Sequence, residues 1–487
     1  MKIKHFLLLF ILIEYIGLRA QYDKHWIVGG PWAKLTFEGD TITTDTFPNS
    51  IDYSTSLACI SDSNGMFQFL ATGTQIHDRN NDTMEGGTYF QDSAWTNLSS
   101  TGSNQNMIIL PGKNKNYYLF HQCMTDSLEF TTPYYMNRLY FAVINMDSNN
   151  GLGKVISKKN LLYDGKMGKS NLTACVHGNG RDYWLFTCES ESNQYIKFLV
   201  TPDTILGPYF QTIGTPYGNP DWVGTLRFSN DGKKLYGVSG NSRMNIFDFD
   251  RCTGMLSNPY SFTIPRDTIF NTDGSIHTWG GGAGSATLSP SGRFLYICKV
   301  QFIHQYDLWG DSTSRVNIWT WDSTYGFPKT LFSALMPNGQ IIIGNYHGVG
   351  SHGFHLIKYP DSLGTACGFK WNGLYAPTIN STTINNSFNY RLGADHSGSC
   401  DSLLTSIPTI DNHLLLYPNP ASSKVYFNEM NIQAIEVWDA FGNRSKQLIQ
   451  NQKIKELDIS DLPNGIYLCS FRLTDGKTVS SRFAKTD

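Results

Sequence analysis

The chain has 487 residues, a formal net charge of -2 and a charged fraction of only 16%. Its Lys and Arg residues are scattered, so it lacks the basic stripe that indicates a nucleic-acid-binding protein, and we expect no nucleic-acid partner. Aromatic residues make up 14% of the chain, and Gly, Asn, Ser and Thr are plentiful between short apolar runs, which favours strands over helices. The length exceeds that of one hydrophobic core, so we expect two folded units.

The N-terminus has the order of residues found in export signals. Lys2 and Lys4 precede an apolar run at residues 6–13, and Ala20 offers a small residue at a cleavage point. We therefore interpret residues 1–20 as a signal peptide, with a buried N-terminal strand or helix as the alternative. No other stretch approaches the roughly 20 apolar residues of a membrane-spanning helix, so we expect a soluble mature protein.

A repeated unit follows, at the spacing of roughly 40 to 60 residues that is typical of propeller blades. Two copies are clear, at residues 226–249 and 286–308, and each predicts a strand, a turn, a strand, a turn and a strand. Gly232 and Gly292 supply the turn geometry that other side chains resist. Because one such unit cannot bury its own apolar face, several copies must pack together in a closed ring.

Four fainter copies bring the number of visible units to six. They lie at Leu57 to Ile76, Met107 to Val143, Leu172 to Val200, and Leu331 to Tyr359. A seventh unit is expected to form when the segment from Trp26 to Phe37 pairs with strands after Cys367. The repeats resemble the WD40-like and YVTN-type β-propeller families over residues 25–400. We therefore predict an all-β fold with a propeller at residues 21–400, of seven blades, with six or eight as alternatives.

The pattern changes after residue 400. Residues 401–413 are polar and contain a proline, which is typical of a linker. Residues 414–487 contain short strand-like segments separated by turn residues, which predicts a small Ig-like β-sandwich.

Three landmarks in this last segment have a characteristic order and spacing. They comprise Pro418, Asn419 and Pro420 at the first strand, Gly442 in the middle, and Leu462, Pro463, Asn464, Gly465 and Tyr467 before the penultimate strand; Lys485 stands near the end. Together they resemble the type A C-terminal sorting domain of the type IX secretion system of Gram-negative bacteria. An ordinary Ig-like module is the alternative interpretation.

The resemblance implies two partners and a destination. A translocon would recognise the sandwich, and a surface sortase would remove it, releasing the rest of the protein or joining it to a lipopolysaccharide. The protein would then pass through the periplasm and be secreted or displayed on the outer-membrane surface.

Nine cysteines in an exported chain meet an oxidising compartment. Cys59 and Cys298 lie in strand-like apolar runs, where a free cysteine behaves as a small hydrophobic residue. Cys367 and Cys400 lie in polar, Gly-rich segments, and we predict a disulfide between them, although sequence alone does not fix connectivity.

Three histidines, His347, His352 and His355, lie close enough in sequence to suggest a zinc or copper site. Their spacing does not match a helical pair of ligands, so we favour loop histidines that bind backbone or water. We expect no metal and no cofactor.

Acidic residues stand beside aromatic residues at two places, as a polysaccharide-cleaving site would require. Asp221, Asp273 and His277 are the candidate catalytic residues, with packing of loops between blades as the favoured alternative. The sequence contains no other nucleophile or phosphate-binding motif. We therefore predict a surface or secreted propeller that binds a glycan or a protein without catalysis. The alternatives are a secreted hydrolase acting on polysaccharide and a structural scaffold.

Overall fold

The computed structural model divides the chain into two compact units, Met1–Ser402 and Leu403–Asp487. It describes residues 20–29, 32–48, 56–88, 105–123, 135–217, 224–240, 242–270, 276–279, 283–310, 315–321, 329–346, 351–380, 383–395, 400, 416–439, 443–474 and 478–486. The predicted signal peptide lies outside these residues, apart from Ala20. Within them, no helix has the length and apolar character needed to cross a membrane.

The described part of the first unit contains seven blades, numbered here in chain order. Blades 2 and 3 form one eight-stranded sheet, because their last strands are joined by a parallel pairing of Glu85 with Lys154. Blade 1 consists of β1 (His25–Gly29), β2 (Trp32–Glu38) and β3 (Thr41–Thr46). Blade 2 consists of β4 (Leu57–Ser61), β5 (Phe67–Thr72), β6 (Gln75–Asp78) and β7 (Thr83–Thr88). Blade 3 consists of β8 (Met107–Pro111), β9 (Asn116–Cys123), β10 (Met136–Asn145) and β11 (Lys154–Met167). Blade 4 consists of β12 (Thr173–Val176), β13 (Tyr183–Cys188), β14 (Gln194–Val200) and β15 (Ile205–Thr212).

Three further blades follow, and one inserted hairpin lies between the first two of them. Blade 5 consists of β16 (Gly224–Phe228), β17 (Lys234–Ser239), β18 (Arg243–Phe249) and β19 (Leu256–Thr263). The hairpin consists of β20 (Asp267–Phe270) and β21 (Ile276–Trp279). Blade 6 consists of β22 (Ser285–Leu288), β23 (Phe294–Lys299), β24 (Phe302–Asp307) and β25 (Arg315–Thr320). Blade 7 consists of β26 (Lys329–Leu335), β27 (Ile341–Tyr346), β28 (Ser351–Ile357) and β29 (Phe369–Asn380). Short 3-10 turns lie at Asn149–Gly151 and Gly364–Cys367.

Hydrophobic clusters between neighbouring blades close the ring. Each blade shares a buried apolar cluster with the next, from blade 1 through to blade 7. The last cluster packs Trp26 and Val28 of blade 1 against Ala334, Ile342 and Phe354 of blade 7. Burial of one such large apolar side chain stabilises a fold by roughly 1.5–3 kcal/mol. The unit is therefore a closed seven-bladed β-propeller, and the predicted fold class is confirmed.

The two clear repeats contain the same turn between their first two strands. Gly232 and Gly292 have φ values of 71° and 75°, in the left-handed region that favours glycine. The Ser229 hydroxyl accepts a hydrogen bond from the backbone N–H of Lys234, at 2.9 Å. The Ser289 hydroxyl accepts one in the same way from Phe294. The turn glycines were therefore correctly placed from the sequence.

Blade 1 does not form as the sequence suggested. Its three strands make their own sheet and do not pair with β29. Instead, residues 383–395, here called the strap, enter beside blade 1, where the Gly29 N–H donates a hydrogen bond to the Thr383 carbonyl. No sequence signal marked the strap, because residues 383–395 have neither the alternation of a strand nor the periodicity of a helix.

The strap runs along the first strands of blades 2 to 4. The Asn386 side-chain amide donates hydrogen bonds to the carbonyls of Met107, at 2.7 Å, and Leu172, at 3.0 Å. The Tyr390 hydroxyl donates one to the Ile109 carbonyl, at 2.7 Å. Because the first strands of most neighbouring blades contact one another, they surround the central channel of the ring. The strap therefore fills one side of this channel.

The disulfide prediction was wrong in one partner. Cys400 is bonded to Cys252, with Cα atoms 5.3 Å apart, whereas Cys367 is a free, buried cysteine. The cause is the path of the strap, which carries Cys400 to the turns of blades 4 and 5. There the Asp395 N–H donates to the Gly178 carbonyl, at 2.7 Å. Cys59 and Cys298 are free and buried, as predicted.

The second unit is one antiparallel sheet in the order β31-β30-β32-β33. Its strands are β30 (Lys424–Asp439), β31 (Arg444–Asp458), β32 (Gly465–Leu473) and β33 (Thr478–Lys485). The sequence predicted only short strand-like segments here, whereas β30 and β31 are 16 and 15 residues long.

The long strand β30 bends over its own sheet. Phe471 pairs with Ile435, which in a straight strand would lie roughly 26 Å from Phe427. The ring centroids of Phe427 and Phe471 are nevertheless 5.0 Å apart. The bent sheet therefore encloses a single core in two layers, as in the predicted sandwich.

Candidate functional site

A cavity of about 190 Å³ lies in the channel beside the strap. Its wall combines residues from blades 1, 4, 5, 6 and 7 and from the strap, among them Trp26, Thr173, Arg227, Leu288, Met336 and Phe388. These residues are far apart in sequence and meet only because the ring closes. No motif could have located the cavity.

The cavity wall carries hydrogen-bond donors that are not used. Arg227 on β16 has a guanidinium Nε with no hydrogen-bond partner among the described residues, and the same holds for the indole Nε1 of Trp26. The Tyr236 hydroxyl accepts a hydrogen bond from the Leu288 N–H, at 3.2 Å, so its own hydrogen points elsewhere. Desolvation by burial lowers the pKa of Arg227, against the opposing effect of Tyr236.

The wall also contains one ion pair. Asp23 accepts hydrogen bonds from the Arg391 guanidinium at 2.8 and 3.0 Å, and its side chain is almost fully buried. Burial raises the pKa of Asp23, against the opposing effect of Arg391. This pair ties the strap to the start of blade 1 and is neutral as a whole.

The side chains of the three predicted catalytic residues lie outside the part of the chain that the structure describes. Asp221 and Asp273 lie outside the described residues. His277 belongs to β21, where its backbone pairs with that of Ile269.

The hairpin that carries His277 is held by a buried cluster of charges. The Asp267 carboxylate contacts Lys299 Nζ at 2.6 Å, His304 Nε2 at 3.0 Å and Arg315 Nη1 at 2.8 Å. Burial raises the pKa of Asp267, but hydrogen bonds from His304 and Lys299 outweigh this effect and lower the pKa to about 2. Asp267 is thus an ionised anchor between the hairpin and blade 6, and sequence reasoning missed it.

The two described candidate metal ligands occupy different environments. His352 is exposed, and its ring stacks on Tyr375 with centroids 5.9 Å apart. His355 is buried and stacks on Trp371 at 3.8 Å. His347 lies outside the described residues. Within the part of the chain that the structure describes, no three metal-ligating side chains form a group that could hold an ion.

In the second unit, the landmark residues converge on the terminal strand β33. Between the two flanking prolines, the Asn419 side chain donates to the Arg482 carbonyl at 3.0 Å and accepts from the Ala484 N–H at 2.9 Å. A single side chain therefore reproduces the hydrogen bonds of a neighbouring strand along β33. Gly442 lies outside the described residues.

The third landmark contacts the same strand from β32. The Tyr467 ring stacks on Phe483 at 5.5 Å, and its hydroxyl donates to the Pro463 carbonyl at 2.8 Å. Lys485 is buried and pairs with Gly465. Leu462 is buried, while Asn464 is exposed in the turn.

Residues 415–485 match the family described as the secretion system C-terminal sorting domain. This segment is a type IX sorting domain. The sorting domain makes the protein an export cargo that interacts with the type IX machinery and reaches the cell surface or the medium. The predicted destination is confirmed.

The solved structures that match most of the chain are distant from it in sequence. The Pseudomonas aeruginosa periplasmic gluconolactonase is 13% identical, with 74% of this chain and 97% of that chain covered and a TM-score of 0.41. A β-propeller domain from Myceliophteria thermophila is 7% identical, with 67% and 94% covered and a TM-score of 0.34. Among curated proteins, no sequence matches.

The sorting domain and the channel differ in what sequence reasoning could find. Asn419, Tyr467 and Lys485 were named from the sequence, because they belong to compact motifs. Trp26, Arg227 and Arg391 were not named as site residues, because an isolated Arg or Trp carries no signal until the fold brings it to a cavity.

Proposed function

We propose that the exported propeller is a binding module without catalytic activity, and that its ligand occupies the channel cavity. The observation that carries this proposal is a preformed cavity lined by Trp26 and Arg227, each of which has a donor nitrogen without a partner among the described residues. Leaving a buried donor without a partner costs roughly 1–3 kcal/mol. A ligand that accepts these hydrogen bonds would recover this free energy on binding.

The composition of the wall supports binding rather than hydrolysis. Cleavage of a glycosidic bond requires two carboxyl groups separated by roughly 5 to 10 Å. Among the described residues, Asp23 is the carboxylate on the cavity wall, and it is held by Arg391. No described observation favours the polysaccharide hydrolase.

We further propose that a surface sortase removes the sorting domain and releases the propeller or joins it to a lipopolysaccharide. The test is mass spectrometry of the surface and medium fractions. A mature protein that ends before residue 414 supports this processing, whereas an intact C-terminus at Asp487 on the exported protein contradicts it.

The binding proposal is tested on the full mature chain with a panel of monosaccharides, sugar acids and oligosaccharides. Thermal stabilisation and product formation are recorded on the same samples. Stabilisation without products supports a binding module. Turnover of any panel member that is lost in Asp221→Asn or Asp273→Asn would instead show an enzyme.

A further inference from the structure

We infer that the ligand of the channel cavity is a small monocarboxylate of about the size of a sugar acid, bound through Arg227. This inference rests on the proposed binding function and adds the chemical class of the ligand. It is carried by the charge balance, the unused donors and the volume of the cavity.

The charge balance leaves one positive charge without a partner. On the described wall, Asp23 and Arg391 neutralise each other. Arg227 makes no ion pair with any described residue. A cation in a desolvated site is stabilised by one opposite charge, so the wall matches a ligand with a single negative charge.

The shape of the charged group selects a carboxylate. A guanidinium presents N–H donors in a planar fork, which matches the two oxygens of a carboxylate. A phosphate monoester also accepts from such a fork, but it carries about two negative charges at neutral pH. The second charge would remain unpaired on the described wall, so the carboxylate is favoured.

The rest of the wall suits a ring with hydroxyl groups. Phe228 and Met336 provide apolar surface, while the indole N–H of Trp26 and the hydroxyl of Tyr236 can donate to ligand oxygens. A cavity of roughly 150 Å³ holds a benzene-sized ligand. The cavity of about 190 Å³ is therefore large enough for one sugar ring.

The test is calorimetric titration of the full mature protein with sodium glucuronate, D-glucose, the methyl ester of glucuronate and glucose 6-phosphate. We expect glucuronate to bind at least about tenfold more tightly than each of the other three compounds, because a charge-assisted hydrogen bond is lost or mismatched in them. Arg227→Met should weaken glucuronate binding by about tenfold or more. The affinity of Arg227→Lys for glucuronate should lie between the affinities of the unchanged protein and Arg227→Met. Lysine keeps the positive charge but not the planar fork of donors.

Matched controls separate binding from folding. Arg266 is exposed and does not line the cavity, so Arg266→Met should bind glucuronate like the unchanged protein. Arg227→Met removes an unpartnered charge and should melt at the same temperature or higher without ligand. If this variant does not fold, Arg227→Lys and the four-compound comparison still decide the question.

The outcomes distinguish the two proposals. Equal binding of D-glucose and glucuronate, or glucuronate binding that is unchanged in Arg227→Met, would overturn the carboxylate inference and leave the binding function standing. Tighter binding of glucose 6-phosphate would also overturn it. Absence of binding by all four compounds, together with no stabilisation in the wider panel, would overturn both proposals.

Discussion

The sorting domain and the propeller place their functional residues in opposite ways. In the sorting domain, Asn419 and Tyr467 come from short motifs and act on one nearby strand, β33. In the propeller, Trp26, Arg227 and Arg391 come from the start, the middle and the end of the ring and meet at one cavity. A local site can be located from motifs, whereas a site assembled by ring closure requires the fold.

The comparison predicts that the step from the periplasm to the cell surface depends on the second unit. Deleting residues 414–487 should abolish surface delivery and leave the protein in the periplasm, because the translocon no longer finds its signal. Cell fractionation with immunoblotting measures this. Asn386→Ala in the strap serves as the control and should still be exported. Unchanged surface delivery of the deletion variant would contradict the assignment.

The stability of the propeller should depend strongly on the disulfide that follows the strap. The Cys252–Cys400 bond joins residues 148 positions apart in the sequence. Loss of a bond that closes so long a loop costs roughly 3–5 kcal/mol in the chain-entropy account. The double variant Cys252→Ser, Cys400→Ser should lower the free energy of unfolding by this amount in a denaturant titration. The unchanged protein under reducing conditions should have the same free energy of unfolding as the double variant. A peptide linking Cys367 to Cys400 in a non-reduced digest would refute the pairing.

Removal of one strap side chain should have the next largest effect. Asn386→Ala leaves the carbonyls of Met107 and Leu172 without a donor, and two such buried groups cost roughly 2–4 kcal/mol. The free energy of unfolding from denaturant titration measures the loss. Asn80→Ala, at an exposed asparagine, should change it by less than about 0.5 kcal/mol. An equal change in the free energy of unfolding in both variants would show that the hydrogen bonds of the strap do not stabilise the ring.

The Asp267 anchor should make the propeller sensitive to acid. Its folded pKa of about 2 lies below the unfolded value of roughly 3.9. The resulting stabilisation is therefore present above about pH 4 and is lost as the pH falls towards 2. The lowered pKa corresponds to about 2 kcal/mol.

Comparison with Asp267→Asn isolates this effect. The difference in free energy of unfolding between the two proteins should shrink by about that amount between roughly pH 5 and pH 2. Urea titrations at a series of pH values measure it. A difference that is independent of pH would show that Asp267 is not ionised in the folded protein.

The blades were predictable because their signals are local. Gly232 and Gly292 mark turns between alternating strands, and such turns can be recognised without knowledge of neighbouring blades. The strap was not predictable, because Asn386 and Tyr390 bind carbonyls of strands that lie more than two hundred residues earlier. The Cys252–Cys400 bond was missed for the same reason, since the path of the strap decides which cysteines meet.

The candidate site was predictable only in the sorting domain. There, Pro418 to Pro420 and Leu462 to Tyr467 have fixed spacing and lie against the terminal strand. Arg227 gave no signal, because it occupies an ordinary strand position in the repeat. Its importance appears only when the described residues around it leave its charge without a partner.

The most direct test of the binding account is a crystal structure of the full mature protein grown with sodium glucuronate. The account predicts the ligand inside the channel cavity, with its carboxylate on the guanidinium of Arg227 and its ring near Trp26. Glucuronate bound elsewhere on the propeller, with only water beside Arg227, would contradict it.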